Sequence, residues 1–319
     1  MVDETLKLVV TRRREQGHGV LVLDLADPSG GALPPFAAGA HVDVHLGEGL
    51  VRQYSLAGNP ADRHVYRLGI LRDPKSRGGS AAAHAKLHEG TEVEVGLPRN
   101  LFPLDGAADH TILIGGGIGI TPMIAMAYEL LEQGRSFALH YCGRARAACA
   151  FLDELAASPF QDRVHLHFDD EGVAQRLDLA AQVGPVKPGT HLYVCGPAGF
   201  MDWVIAEGER LGFPPGQIHR EYFQAEIDGS GKEFTVIAQR SGKEVRVAEG
   251  QTIVDALGQV GIRVQVSCEQ GVCGTCLCTV LEGTPDHRGV YLTDEEKADN
   301  DQILLCCSRA KSDVLILDL

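Results

Sequence analysis

Residues 267–278 read SCEQGVCGTCLC and contain four of the nine cysteines of the chain. Within this stretch Cys268, Cys273 and Cys276 are separated by four and then by two residues, and Cys306 and Cys307 follow side by side near the carboxyl end. Nine is an odd number and the chain is long, so a framework of disulfides explains this clustering poorly. The local grouping instead indicates metal ligation.

The spacing favours one kind of metal site. C-x4-C-x2-C is the ligand run of plant-type ferredoxins, whose cysteines hold a 2Fe-2S cluster. The 29 residues between Cys276 and Cys306 match the gap expected before a fourth ligand, so we assign Cys306 and treat Cys307 as a neighbour outside the ligand set. Gly271 and Gly274 suit a tight loop whose amides point at sulfur. Zinc is the alternative, although zinc ligands usually come as two close pairs.

Size and composition limit the class of protein. A chain of 319 residues predicts two or three domains, and we expect three. With 44% hydrophobic and 23% charged residues it should fold throughout. A formal charge of -14 disfavours nucleic-acid binding. We find no apolar stretch near the roughly 20 residues of a membrane span and no apolar signal core, so we expect a cytoplasmic protein without membrane attachment.

The pattern along the chain predicts a multidomain fold. Residues 1–104 consist of short alternating segments such as GVLVLDLA and HVYRLGILR, typical of an antiparallel β-barrel. Residues 105–225 alternate strands and helices, which predicts an α/β domain with a parallel sheet. The polar, glycine-rich residues 226–233 are a predicted linker, and residues 234–319 form a third domain of α+β type around the cysteines.

Two glycine turns follow predicted strands of the α/β domain. The stretch TILIGGGIGITP, 111–122, opens a helix for which we expect Thr121 at the N-cap, Pro122 at the first helical position and Gly134 beyond the end. Such a helix start can face a pyrophosphate. YVCGP, 193–197, ends a second strand, where ligands of open α/β sheets bind. The alternative is that both turns are only tight connections.

The barrel carries a candidate site for an anionic aromatic cofactor. In RQYSL, 52–56, Arg52 and Tyr54 share one strand face, which a flavin phosphate and ring can use. SRGGS, 76–80, precedes an alanine-rich helix, so its amides and Ser80 can bind an anion. An ordinary solvated loop is the alternative for this second stretch.

Taken in order, RQYSL, SRGGS, GGIGITPM, YVCGP, EYF and C-x4-C-x2-C resemble the phthalate dioxygenase reductase and vanillate demethylase reductase family over essentially the whole chain. The resemblance implies an FMN-binding barrel, an NAD domain and a β-grasp ferredoxin domain. Tyr222 departs from the family, whose motif before the linker reads more like Glu-Ser-Phe.

The resemblance also implies roles for individual residues. Contacts to FMN are implied for Arg52, Tyr54, Ser55, Gly79 and Ser80. The pyrophosphate turn is implied for Gly116, Gly117 and Pro122. Around the nicotinamide and the flavin ring the implied residues are Thr121, Cys195, Gly196, Glu221 and Phe223, with Phe223 covering the isoalloxazine.

The implied activity is an NADH-dependent reductase. Electrons from NADH pass through FMN to the 2Fe-2S cluster and on to a terminal Rieske-type aromatic oxygenase or demethylase. A flavin is required because a hydride carries two electrons and the cluster takes one.

The alternatives are a cytochrome P450 partner and a non-catalytic redox-responsive binding module. We expect a monomer. NADH over NADPH rests on the resemblance, since Arg144 and Arg146 can in principle hold a 2'-phosphate while Asp169 and Asp170 weigh mildly against it.

The predicted ferredoxin domain is acidic. Residues 235–319 carry 8 Lys and Arg against 13 Asp and Glu, a net charge of -5, and DEEKADND, 294–301, concentrates five of these acids. Such a surface favours electrostatic docking of a basic oxygenase. A solvated helix face is the alternative.

Overall fold

A computed structural model describes residues 4–47, 49–74, 78–224 and 228–319. The chain forms two compact units, residues 1–221 and residues 222–319. The predicted linker at 226–233 and the SRGGS stretch at 76–80 therefore lie partly outside the described residues. Among the described residues, no helix combines the length and the apolar character needed to cross a bilayer.

The first unit begins with the antiparallel sheet that the alternating segments predict. Its strands run in the order β4-β3-β6-β1-β2-β5, with β7 beside β3, and an isolated antiparallel bridge between Leu56 and Leu68 joins the two ends of the sheet. Inward-facing side chains such as Leu23, Val42 and Ile70 fill the interior. The elements are β1 (Thr5–Gln16), β2 (Val20–Ala26), β3 (Ala40–His45), β4 (Val51–Ser55), β5 (Tyr66–Leu71), α1 (Gly79–Lys86), β6 (Glu92–Gly96) and β7 (Arg99–Asn100).

The second half of this unit is a five-stranded sheet in the order β10-β9-β8-β11-β12, and all of its strands are parallel. The order reverses beside β8, so the carboxyl ends of β8 and β11 flank the crevice where such sheets bind ligands. The elements are β8 (His110–Gly116), α2 (Ile120–Glu132), β9 (Ser136–Gly143), α3 (Leu152–Ala156), β10 (Val164–Phe168), α4 (Leu179–Val183), β11 (Thr190–Cys195), α5 (Ala198–Leu211) and β12 (Ile218–Glu221).

The start of α2 corrects one prediction. Thr121 is not the N-cap, because the helix begins at Ile120 after a 3-10 turn over Gly117–Gly119, and the Thr121 hydroxyl donates to the Ile118 carbonyl at 3.0 Å. Pro122 accordingly stands third in the helix, where a missing amide hydrogen still costs nothing. The other end agrees with expectation, since Gly134 follows the helix with φ of 65°.

The second unit is the predicted α+β domain. Its main sheet has the order β14-β13-β19-β15-β17, in which β13 and β19 are parallel and the other pairs antiparallel, as in a β-grasp fold. Gly242 turns the first hairpin with φ of 66°, and the Thr252 side chain caps α6 by accepting from the Asp255 amide. The elements are β13 (Phe234–Ala238), β14 (Lys243–Val247), α6 (Ile253–Gln259), β15 (Leu277–Glu282), β16 (Pro285–Asp286), α7 (Asp294–Asp299), β17 (Gln302–Leu304), β18 (Arg309–Ala310) and β19 (Val314–Leu317).

Candidate functional site

The Arg52 side chain on β4 crosses the beginning of α1. A Cβ added to Gly79 would lie 2.5 Å from the Arg52 Cγ and 2.6 Å from its Nε, so this approach requires glycine. The described part of α1 begins after Gly78 without a side-chain cap, which leaves its first amides directed outward. The Ser80 hydroxyl accepts a hydrogen bond from the Asp73 amide at 3.2 Å. A guanidinium and a helix start are thus brought together, a combination suited to a phosphate.

Two further residues of the RQYSL motif, Tyr54 and Ser55, lie at the end of β4 in the barrel. Burial raises the pKa of Tyr54 to about 12, with Arg52 acting in the opposite direction, so Tyr54 remains a phenol at neutral pH. Ser55 is buried, and its hydroxyl donates to Glu221 Oε2 at 3.4 Å. Because Glu221 ends β12, this bond joins the barrel to the last strand of the parallel sheet.

Glu221 and Cys195 form a protonated pair beside Ser55. They are register partners on β12 and β11. Burial raises the pKa of Glu221 to about 8, and the Ser55 hydrogen bond opposes this only partly. Burial also raises the pKa of the Cys195 thiol, and the neighbouring Glu221 adds to the increase. At neutral pH both groups therefore keep their protons.

The two glycine turns touch each other through their backbones. A Cβ on Gly119 would lie 2.2 Å from the Cys195 carbonyl oxygen, and a Cβ on Gly116 would lie 2.7 Å from the Phe200 ring. A Cβ added to Gly196 would lie 3.0 Å from the Phe200 ring and 3.1 Å from the Gly116 Cα. Side chains at these glycines would push the turns apart, so their absence creates the crevice at the strand ends.

A cavity of about 540 Å³ opens beside these turns. Its lining includes Gly116, Gly117 and Phe200 together with the charged Arg144 and Asp169. This volume lies within the range of small-molecule sites. The glycines of the lining leave room for a pyrophosphate, and the charged residues provide groups for a polar ligand such as a ribose.

Thr121 lies where the barrel meets the parallel sheet. A Cβ on Gly69 of β5 would lie 2.8 Å from the Thr121 Cγ2 and 2.8 Å from the Phe151 ring. Phe151 is held there because its amide donates to Gln16 Oε1 at 2.6 Å. Sequence patterns missed Gly69, Phe151 and Phe200, since each matters through contacts with residues distant in the chain.

Phe223 belongs to the second unit and is half-buried. Its role beside a flavin stays a prediction.

The four predicted cluster ligands converge inside the second unit. All four are buried, and their sulfurs interact pairwise, Cys268 with Cys273 and Cys306, and Cys276 with Cys306. The hydrogen bond from the Cys273 side chain lowers the pKa of Cys268. Cys278 is excluded from this group because its thiol points to the Thr279 carbonyl at 3.6 Å.

Backbone amides point at these sulfurs. The Gln270 amide donates to Cys268 Sγ at 3.3 Å, the Thr275 amide to Cys273 Sγ at 3.5 Å, and the Cys306 amide to Cys276 Sγ at 3.4 Å. Amide donors stabilise negative charge on sulfur, so the environment suits thiolates rather than thiols.

Glycines make room for this loop. Gly274 has φ of 72°, and a Cβ there would lie 2.3 Å from the Tyr291 Cζ. Gly271 has φ of 70°, and a Cβ there would lie 2.6 Å from the Cys307 Sγ. The thiol donor set, the amides and the close-packed loop together fit a 2Fe-2S cluster.

Comparisons with known proteins agree with the crevice at the glycine turns and, separately, with the cysteine loop. Residues 236–311 match the model of the 2Fe-2S iron-sulfur cluster binding domain, and residues 113–205 match that of the oxidoreductase NAD-binding domain. Vanillate O-demethylase oxidoreductase of Pseudomonas sp. (strain HR199 / DSM 7063) is 45% identical over 316 residues, which is 98% of this chain and 100% of that protein. The solved phthalate dioxygenase reductase, described as modular for electron transfer from pyridine nucleotides to [2Fe-2S], is 39% identical with a TM-score of 0.78 over 99% of this chain and 98% of its own.

The chain belongs to the phthalate dioxygenase reductase family. The resemblance stated from its motifs is thereby confirmed, as is the multidomain fold class.

As a member of this family, the chain is an oxidoreductase that moves electrons from NADH to a 2Fe-2S cluster, and its cofactors are FMN, NAD and that cluster. The reductase module also occurs within a larger protein. A type IV self-sufficient cytochrome P450 monooxygenase is 37% identical with a TM-score of 0.85 over 99% of this chain, although this chain spans only 41% of its length.

Proposed function

We propose that the protein is the reductase component of a two-component Rieske-type aromatic oxygenase or demethylase. The observation that carries this proposal is the 45% identity to a vanillate O-demethylase oxidoreductase along the full length of both chains. A second relative, 46% identical over 301 residues, is named phenoxybenzoate dioxygenase subunit beta. The partner would accept single electrons from the second unit and carry out the oxygen chemistry.

The proposed division of labour follows the predicted domains, with FMN on residues 1–104, NADH on residues 105–225, a linker at 226–233 and the cluster on residues 234–319. When bound, FMN takes both electrons of a hydride and releases them singly, which is what a 2Fe-2S cluster requires. A monomer in the cytoplasm completes the proposal.

For FMN, we assign the phosphate to Arg52, Gly79 and Ser80. The support is the close approach of the Arg52 side chain to the start of α1 at Gly79. Tyr54 would contact the isoalloxazine as a neutral phenol. Ser55 would present its hydroxyl to the ring, since it already bonds a carboxyl that lies at the parallel sheet.

For NADH, we assign the pyrophosphate to the turn shaped by Gly116, Gly117 and Pro122, and the nicotinamide to the side of Cys195 and Gly196. The support is the cavity beside both turns. Thr121 would lie close to the flavin ring because it packs against β5 of the barrel.

For proton handling, Glu221 and Cys195 would remain neutral next to the reacting rings. A neutral carboxyl avoids placing negative charge beside a flavin that gains electrons. Phe223, which follows β12 by two residues, would shield the isoalloxazine. For the cluster, the proposed ligands are Cys268, Cys273, Cys276 and Cys306.

A cytochrome P450 partner is the second candidate, favoured by the fused monooxygenase that contains the same module. Reconstitution separates the two. The purified reductase and NADH are combined with a Rieske-type vanillate demethylase oxygenase or with a bacterial P450 that lacks its own reductase. We expect NADH-dependent product only with the Rieske oxygenase. Product only with the P450 would reverse the assignment.

A further inference from the structure

Two histidines and an aspartate meet where β11 and β12 begin, at the end of the sheet opposite Cys195 and Glu221. His191 Nδ1 lies 2.9 Å from His219 Nε2 and 3.7 Å from Asp105 Oδ2. One ligand atom from each of the three residues lies within 4.8 Å of the others. No step of electron transfer uses this group.

The aspartate is held in place by several hydrogen bonds. Its amide donates to the Tyr193 hydroxyl at 2.7 Å, and its carbonyl accepts from Arg135 Nη2 at 2.6 Å. One carboxylate oxygen, Oδ1, accepts from the Ala107 amide at 2.7 Å. Since Oδ1 is engaged, Oδ2 is the oxygen that faces His191. The carboxylate is therefore oriented before any ligand arrives.

The histidines are also constrained. The His191 side chain is only 8% exposed, and the His219 ring stacks on Tyr193 with centroids 4.2 Å apart. Two ring nitrogens facing each other can share only one proton, and a carboxylate oxygen beside them contributes another acceptor. A cation can replace that shared proton and bind lone pairs from both ring nitrogens and the carboxylate at once.

The spacing and the ligand types select the cation. With zinc–nitrogen distances of about 2.0–2.1 Å, donors around a tetrahedral ion stand about 3.3 Å apart, between the two distances observed here. Two imidazoles with one carboxylate suit zinc better than magnesium or calcium, which prefer oxygen ligands alone.

We propose that Asp105, His191 and His219 bind a divalent cation of the zinc class, with water completing its coordination. The three ligands come from the connector after the barrel and from two adjacent strands. The cation would therefore fasten the connector between β7 and β8 to the edge of the parallel sheet, as a structural site separate from the electron path.

The test uses tag-free full-length protein carrying its FMN and cluster, with Zn²⁺ alone as the probe. Bound zinc is measured by equilibrium dialysis and elemental analysis for the wild type, Asp105→Asn and His219→Gln. Asp105→Asn keeps an oxygen for the Ala107 amide, so it preserves the local turn. His64→Asn is the matched control because His64 is an exposed loop histidine.

We expect one zinc per chain in the wild type and in His64→Asn, with affinity at least tenfold lower in the other two variants. Zinc should also raise the melting temperature of the first pair only. Flavin and cluster spectra equal to those of the wild type identify folded variants. Equal zinc binding by all four proteins, absence of binding to the wild type at micromolar free zinc, or binding without a change in melting temperature would overturn the proposal.

Discussion

Cys306 and Cys307 are adjacent and both buried, yet they have different surroundings. The Cys306 sulfur interacts with those of Cys268 and Cys276 as well as with that of Cys307, and its amide donates to the Cys276 sulfur. The Cys307 thiol points towards the Leu304 carbonyl at 3.9 Å and the Ser308 hydroxyl at 3.8 Å, and it fills the space beside Gly271. Single side chains thus support the ligand assignment that residue counting predicts.

Replacing these two cysteines separately tests that assignment. Cys306→Ser should lose most of the 2Fe-2S absorption and acid-labile sulfide, because it removes a thiolate ligand, whereas Cys307→Ser should keep both. FMN content serves as the folding control, since the proposed flavin site lies in the other unit. The opposite pattern, with the cluster lost only in Cys307→Ser, would contradict the assignment.

The protonation of Glu221 predicts the direction in which the rate of NADH oxidation changes with pH. Its pKa is raised to about 8, so the carboxyl is neutral below pH 8 and negative above it. If Glu221 lies beside the flavin as proposed, its negative charge should disfavour flavin reduction, so NADH oxidation with ferricyanide should fall as the pH rises through about 8. Glu221→Gln imitates the neutral acid and should remove this fall.

Stopped-flow measurement of flavin reduction between pH 6 and 9.5 checks this expectation. The control is Glu209→Gln, an exposed acid on α5. A fall of equal size in Glu221→Gln and in the wild type would show that another group is responsible.

At the level of turns and strands, local features of the fold could be predicted from the sequence, whereas long-range contacts could not. The strand–turn–helix at 110–132 was predictable because its apolar strand, glycines and helical period are local signals. The helix starts two residues earlier than predicted, because a 3-10 turn precedes α2 and makes Ile120 the first helical residue. The contact of Gly69 with Thr121 could not be predicted, since it depends on the packing of two domains. The Ser55–Glu221 bond spans 166 positions for the same reason.

The cluster loop depends on Gly274, which adopts a positive φ and leaves space for the Tyr291 ring. Gly274→Ala should lose the cluster, because a methyl group at φ of 72° is strained by about 1 kcal/mol or more and would overlap the Tyr291 ring. Gly242→Ala is the matched control, since Gly242 has φ of 66° but no atom within 4 Å of an added Cβ.

Iron and sulfide per chain, measured after identical purification, separate the effect of backbone strain at a positive φ from that of overlap with the Tyr291 ring. We expect near wild-type content in Gly242→Ala and a loss of more than half in Gly274→Ala. Equal content in the two variants would show that the Tyr291 contact does not support the loop.

The acidic residues in and next to α7 do not all have the same role. The acidic helix α7 is exposed, but Glu296 belongs to its capping box with Thr293, so it serves the helix itself. Glu295, Asp299 and Asp301 are exposed, and Asp294 is exposed but also forms an ion pair with Lys297 at 3.7 Å. This distinction refines the docking surface predicted from composition, where all five acids counted equally.

Electron delivery to the oxygenase should therefore depend on salt. Turnover should fall as the ionic strength rises from about 0.05 to 0.5 M, because screening weakens attraction between exposed charges. The double variant Glu295→Gln/Asp299→Asn should respond less to salt. Asp202→Asn/Glu209→Gln, with equal loss of charge on α5, is the control and should behave as the wild type. Identical salt responses in all three would contradict docking through α7.

The most direct test of the account is anaerobic addition of NADH to the purified, iron-replete chain alone, followed by visible absorption and low-temperature electron paramagnetic resonance. We predict that the flavin and cluster bands bleach together and that the signal of a reduced 2Fe-2S cluster appears, while Cys306→Ser shows only the flavin change. Reduction of the flavin without any cluster signal, in protein with full iron and sulfide content, would contradict electron transfer from NADH to the cluster within this chain.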